Sequence, residues 1–287
     1  MNEFKFQILN NDKDARLGLL TTAHGNIKTP VFMPVGTSAT VKAIRVEDLK
    51  NSGSKIILAN TYHLMLRPGE KLIDELGGLR KFMNWDGPIL TDSGGFQVMS
   101  LGKLRTISEA GVLFKSQIDG TKYHLTPERS IEIQKFLDST ITMSFDECTS
   151  WPVSHDLAEK SMHLSMRWAE RSLLKYNHRK GYGIFGIIQG SNYPNLREES
   201  SKILQEMDFS GYAIGGLAVG EGREEMFNTL DFTIPTINFN KPRYLMGVGK
   251  PEDIIGAVKR GIDMFDCVLP TRSGRNGQAF TSCGEIN

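Results

Sequence analysis

Cysteine is nearly absent: Cys148, Cys267 and Cys283 are the only three in 287 residues. They are too few and too scattered for a disulfide framework, and none stands in the C-x-x-C spacing of a zinc site. A cytoplasmic home is the simplest expectation. Long apolar runs are missing as well. Nothing approaches the roughly 18 residues of a membrane span, so no membrane partner is expected. The opening MNEFKFQILNNDKDARLG is broken by charges and leads into no apolar core, so it does not read as a signal peptide. Neither sign of charge dominates. With 34 Lys+Arg against 33 Asp+Glu the net charge is +1, which excludes a globally basic nucleic-acid binder but leaves room for a local basic surface. No low-complexity tract, charge block or Pro/Ser-rich linker divides the chain. A 39% hydrophobic, 23% charged composition excludes a mostly disordered polypeptide.

What the sequence does have is a recurring unit: a short apolar run, then Gly or polar residues, then an amphipathic segment. The runs are TPVFMPV (29–35), KIILANTY (55–62), PILTDSG (88–94), TITMSFDE (140–147), GIFGIIQG (183–190), GYAIGGL (211–217), RYLMGVG (243–249) and MFDCVLP (264–270). Near-continuous apolar runs suit strands buried on both faces of a parallel sheet. Helical patterns lie at 45–53, 68–78, 126–138, 155–177, 195–207, 223–232 and 250–263. Thr126 and Pro127 supply a cap and a first-turn proline, and Leu157, Leu164, Trp168 and Leu174 suggest one buried face. Eight strands alternating with helices predict a single α/β domain over 1–287, a (β/α)8 TIM barrel. Residues 1–28 read as an N-terminal antiparallel cap. Residues 96–125, with Gly102, Gly111 and Gly120, read as an insertion after the third strand that could act as a lid. After Pro270 only 271–287 remain, with no eighth outer helix, so an apolar barrel face is expected to need cover.

Barrel sites gather at the C-terminal strand ends. Those ends hold Asn60, Asp92, Asp146 with Glu147, Gln189, Gly215 with Gly216, Met246 and Asp266. A single aspartate at a strand end is most often a helix cap or an ion-pair partner; three on one rim point to a site. Carboxylates without a metal motif suit chemistry at an anomeric carbon, one attacking the sugar and another moving protons. Gln189 and the backbone at Gly215–Gly216 could read a flat hydrogen-bonding ligand, on which Phe96 or Met246 could stack; core packing is the alternative for both apolar residues. His63 could border the site or be structural. The GVGK turn at 247–250 could hold phosphate, though any βα turn resembles it. Over 241–275 seven Lys/Arg face four acids, and Arg272 and Arg275 follow Asp266 closely enough to hold nucleic-acid phosphates, unless they are simply solvated.

TDSGGFQVMSLG (91–102), SFDECTSWP (144–152), FGIIQGS (185–191), GYAIGGLAVGEG (211–222), YLMGVGKPEDI (244–254) and FDCVLPTRSGRNGQAFT (265–281) closely resemble, in order, the bacterial tRNA-guanine transglycosylases, or queuine tRNA-ribosyltransferases. The resemblance implies a pentosyltransferase that replaces guanine at the wobble position of tRNA with 7-aminomethyl-7-deazaguanine, a step of queuosine synthesis, using no ATP or redox cofactor. It implies that Asp266 is the nucleophile and Asp92 the general acid/base. Phe96 would stack on the base, Asp146 and Gln189 would bind its edge with Gly216 and the Leu217–Ala218 peptide, and Met246 would cover the other face. Glu221 would support the backbone that recognises the aminomethyl group, and Cys148 resembles the bacterial pattern. Lys250, Arg272 and Arg275 would meet RNA. The resemblance further implies a homodimer and a zinc subdomain after the eighth strand, with a cysteine/histidine cluster and the last barrel helix. Residues 271–287 are the start of that subdomain, and Cys283 does not fill the cluster's pattern. No metal is therefore expected in this chain, nor the full family-typical dimer contact. Two other readings stand beside the enzyme: an inactive or partner-binding fragment of the same family, and a sugar-phosphate barrel enzyme using the GVGK turn.

Overall fold

A computed structural model describes residues 3–101 and 105–287; Gly102 of the insertion lies outside the described residues. Three antiparallel strands open the chain: β1 (Lys5–Asp12), β2 (Ala15–Thr22) and β3 (Gly25–Thr29). Then follow β4 (Val31–Pro34), α1 (Val46–Asn51), β5 (Ile57–Ala59), α2 (Thr61–Leu66), α3 (Glu70–Glu75), α4 (Leu79–Met83), β6 (Ile89–Thr91) and α5 (Gly95–Leu101). The segment after α5 carries β7 (Arg105–Ser108), β8 (Gly111–Lys115) and β9 (Lys122–Leu125). The alternation resumes with α6 (Pro127–Phe136), β10 (Ile141–Met143), α7 (His155–Lys175), β11 (Gly183–Ile188), α8 (Pro194–Glu206), β12 (Gly211–Ile214) and α9 (Arg223–Thr233). It ends with β13 (Arg243–Leu245), α10 (Pro251–Val258), β14 (Met264–Cys267), α11 (Leu269–Arg275) and a terminal hairpin, β15 (Ala279–Thr281) and β16 (Gly284–Ile286).

Eight strands form one parallel sheet in the order β4-β14-β13-β12-β11-β10-β6-β5. A Val35–Leu58 bridge and the bond from Gly36 N to Leu58 O (2.6 Å) bring its two edges together, so the sheet closes as a (β/α)8 barrel. The apolar runs are continuous because each strand has two buried faces. In β11, Phe185 and Ile187 join Met33, Leu90, Met143 and Met264 inside the barrel, while Ile184 and Ile188 pack outward beneath the helices. The β1–β3 sheet lies across the N-terminal end. Its Leu20 and Ile27 join the interior cluster, and Ala23 N bonds Gly181 O just before β11.

Several local expectations are corrected. The 55–62 run is strand only over Ile57–Ala59; Thr61 already begins α2. The 68–78 segment ends as helix at Glu75, and the 250–263 segment at Val258. Leu157 and Leu174 of α7 are 55% and 81% exposed, so they do not share a buried face with Trp168. That face is built instead from Ala158, Met162, Met166, Ala169 and three serines. Ser172 Oγ accepts from Phe145 N and Ser165 Oγ from Glu147 N (3.1 and 2.9 Å), satisfying the backbone that leaves β10. The insertion is a packed sheet rather than a loose loop: Val112, Phe114 and Leu125 bury themselves against α2 and α5, and Trp168 Nε1 donates to Glu109 O. A short helix, α11, follows the eighth strand where none was expected.

Candidate active site

The C-terminal strand ends open into a cavity of about 650 Å³. Of the residues singled out above, Asp92, Phe96, Asp146, Cys148, Gly216, Leu217, Ala218, Met246, Asp266 and Arg272 line it, together with Asn60 and His63. Gln189 and Glu221 stand just behind the wall, and Lys250 and Arg275 do not reach the lining.

Asp92 follows β6 and is held on three sides. Asn60 Nδ2 and Gln97 Nε2 donate to Oδ2 (2.6 and 2.7 Å), and Thr61 N donates to Oδ1 (2.7 Å). Burial nevertheless pushes its pKa up to about 6, and the charge of Asp266 adds to the rise. Asp266, at the end of β14, accepts from Tyr244 Oη (2.6 Å) and Gly247 N (2.8 Å), both on Oδ1. Its Oδ2 has no hydrogen-bond partner among the described residues. Burial raises this carboxyl too, while the two donors pull it down. The glycine turn of 247–250 therefore spends its first N–H on the Asp266 carboxylate, which leaves it less suited to phosphate.

Asp146 follows β10. Ser93 Oγ donates to Oδ1 (3.0 Å) and Gln189 Nε2 to Oδ2 (2.8 Å); burial lifts the pKa to about 6, with Glu147 adding to the effect. The glycines after β12 have a structural reason beyond ligand approach. A Cβ on Gly215 or Gly216 would stand 2.6 or 2.7 Å from the Gln189 amide, so the backbone and that amide share one narrow space. Glu221 accepts from the N–H groups of Ala218 and Val219, bracing the next part of the wall. Cys148 is buried enough that its thiol is pushed up to about 12, which makes it a neutral wall and no nucleophile. Phe96 is 50% exposed and Met246 partly exposed; both reach the cavity rather than the core alone. Arg272 lies on α11 at the cavity edge, whereas Arg275 donates to the carbonyls of Lys42 and Thr271. His63 lies on the lining, and burial lowers its pKa, so it is neutral there.

Reading strand ends missed Tyr244, Thr61, Ser93 and Gln97. Strand alternation carried a signal for the first: Tyr244 on β13 and Met246 just past its end are two apart, and both pack in the barrel-interior cluster. Gln97 lies five positions after Asp92, in the first turn of α5, from where its side chain turns back to the carboxylate.

The described residues do not fit the zinc that the resemblance implies. Cys148 and Cys267 line the cavity, Cys283 is exposed on the terminal hairpin, and no Cys/His cluster forms among them. His155, Asp156 and Glu159 group at the exposed start of α7, off the cavity.

Carboxyls raised by burial weaken a protein at neutral pH. Their protonated form is favoured in the fold, so the stability present below pH 4 is lost as pH rises to about 6, up to about 3 kcal/mol per group. Asp146→Asn should therefore raise the melting temperature at pH 7 and leave it nearly unchanged at pH 4, while weakening ligand binding. Calorimetry at the two pH values checks this.

The fold and site define a (β/α)8-barrel enzyme whose cavity joins one carboxylate with an unpartnered oxygen to a second, hydrogen-bonded carboxyl of near-neutral pKa. The model of the queuine tRNA-ribosyltransferase family matches residues 11–287. The chain is 64% identical to the queuine tRNA-ribosyltransferases of Rickettsia bellii (strain OSU 85-389) and Rickettsia akari (strain Hartford), and 63% identical to that of Rickettsia peacockii (strain Rustic). Each match covers all 287 residues of this chain and 80% of the relative. The chain belongs to the queuine tRNA-ribosyltransferase family.

Proposed function

We propose that this chain exchanges guanine at the wobble position of tRNA for 7-aminomethyl-7-deazaguanine by double displacement. One observation carries the reading: Asp266 has one oxygen fixed by Tyr244 and Gly247 and the other unpartnered, in the same cavity as Asp92. Asp266 Oδ2 attacks C1′ of an unstacked nucleotide as the bond to guanine N9 breaks. The bond's electron pair leaves with the base, and Asp92 delivers a proton to it. Guanine departs, the deazaguanine enters and gives its ring proton to Asp92, and its nitrogen displaces Asp266 from C1′. Two inversions restore the configuration. One glycosidic bond replaces another, so the exchange consumes neither ATP nor a redox cofactor.

The purine edge fits the wall chemically. The Asp146 carboxylate can accept from N1–H and the 2-amino group, and the Gly216 N–H can donate to O6, with Gln189 fixing Asp146 from behind. Phe96 and Met246 supply flat apolar contact above and below. Glu221, turned toward the Ala218 and Val219 amides, holds the peptide that would face the aminomethyl group. Among the described residues no helix is long and apolar enough to cross a membrane. We place the reaction in the cytoplasm, where tRNA is matured.

Incorporation of labelled guanine or deazaguanine into tRNA tests the activity; no incorporation under any tRNA supply would reject it. Arg272 at the cavity edge is assigned to phosphate. Arg272→Ala should weaken tRNA binding and reduce the log–log salt slope by about 0.7, the value for one single-strand phosphate contact. An unchanged slope would place the phosphates elsewhere.

A further inference from the structure

Behind the base-facing wall lies a charge that the reaction above does not use. Arg197, in the first turn of α8, is 0% exposed. Its Nε donates to Ser191 O (2.6 Å) and its Nη1 to Ile188 O (3.0 Å). The third nitrogen, Nη2, is buried with no hydrogen-bond partner, and it would stand 3.6 Å from a Cβ on Gly216. Among the described residues no carboxylate lies within ion-pair distance of the guanidinium. Burial lowers its pKa to about 10, with the charge of Glu221 acting to raise it, so it is a cation at neutral pH. A buried cation without a counter-ion is costly, and a donor left unpaired adds to that. A brace for two carbonyls needs no such charge, because a neutral amide could make the same bonds.

The position gives the charge a use. When the C1′–N9 bond breaks, the departing base holds the electron pair and becomes anionic until it is protonated. The incoming base passes through the same anion in reverse. Part of that charge resides on O6, which the proposed pose sets against the Gly216 peptide. A fixed cation directly behind that peptide, in a dry low-dielectric wall, stabilises negative charge there without reorganising. We propose that Arg197 is a positioning residue for the base anion, acting through the Gly216 peptide to stabilise the charge that develops on the purine during exchange. The inference rests on the base-exchange reading and names a residue that reading does not require.

The test uses the intact chain, tRNA, and a series of 7-substituted 7-deazaguanines of rising ring N–H acidity as incoming bases. Arg197→Met should lower the exchange rate by roughly 30-fold for the least acidic base, with KM for tRNA unchanged within about twofold. The defect should shrink as the base becomes more acidic, because a more stable anion needs less help. Arg197→Lys, which keeps the charge, should recover most of the rate and the wild-type dependence on acidity. An equal loss for every base in Arg197→Met makes Arg197 a mere brace and overturns the inference. If Arg197→Met fails to fold, Arg197→Lys decides alone: a steeper acidity dependence than wild type overturns the inference, and an unchanged one supports it. Wild-type protein that exchanges no base overturns the reading and the inference together.

Discussion

Asp266→Asn should abolish base exchange, lowering the rate by at least about four orders of magnitude, because among the described residues no other side chain in the cavity offers an unpartnered carboxylate oxygen to C1′. The substitution is nearly isosteric. Asparagine Oδ1 can still accept from Tyr244 and Gly247, so the fold should persist, and losing a carboxyl that burial raises should not destabilise it. A denaturation-resistant protein–RNA adduct should form with the wild type and be absent from the variant. Exchange by Asp266→Asn within tenfold of wild type would move the nucleophile elsewhere. Tyr244→Phe is the graded companion. It leaves Oδ1 with the Gly247 N–H alone and removes a donor that holds the Asp266 pKa down. The rate should fall by about tenfold, the size expected for one strong hydrogen bond to a charged group, with the acid limb of the pH profile moving upward. A rate loss with an unmoved limb would mean that Tyr244 only packs.

Asp92→Asn should cost about two to four orders of magnitude, the usual range for losing a general acid/base. Its pH signature is more telling than its size. With a pKa of about 6, Asp92 is mostly ionised at pH 7, ready to take the ring proton of an incoming base, and near enough to neutrality to return it. As pH falls through 6 the carboxylate is lost, so capture of the incoming base by the protein–RNA adduct should decline on the acid side with a midpoint near 6, whereas release of guanine, which uses the protonated form, should not. Asp266 must be ionised to attack, so its protonation slows the first displacement as pH falls. In Asp92→Asn the limb near 6 should vanish, leaving only the part set by Asp266. A variant profile with the wild-type shape would show that Asp92 does not carry the proton.

The barrel was legible because its strands obey one constraint along their whole length. A strand buried on both faces must be apolar throughout, and eight such runs at regular spacing have few other uses. The strand ends were legible for the same reason: Asp92, Asp146 and Asp266 are the first charged residues after stretches that hold only apolar side chains and small hydroxyls. Errors arose where a polar residue served a hidden backbone. The spacing of Leu157, Leu164, Trp168 and Leu174 suggests one apolar face on α7, yet Ser165 and Ser172 take part of the buried side, accepting from the amides of Glu147 and Phe145, while Leu157 and Leu174 lie at the surface. The 55–62 run predicts strand through Thr61. Its N–H and hydroxyl both bond Asp92 across 31 positions, and the chain turns into α2 to let them.

Composition, periodicity and the residues at the strand ends determined by themselves that this chain forms a barrel and that three carboxylates meet at its mouth, since burial and chain direction are local demands that every strand repeats. The tertiary structure alone decided how those carboxylates differ. Asp266 lies 22 positions from Tyr244, and Asp146 lies 43 from Gln189. Which oxygen is tethered, which is unpartnered, and which acid stays near neutrality depend on desolvation and donors brought in from such distances. No window of sequence contains them, because the energy that sets a proton's affinity is a sum over neighbours in space.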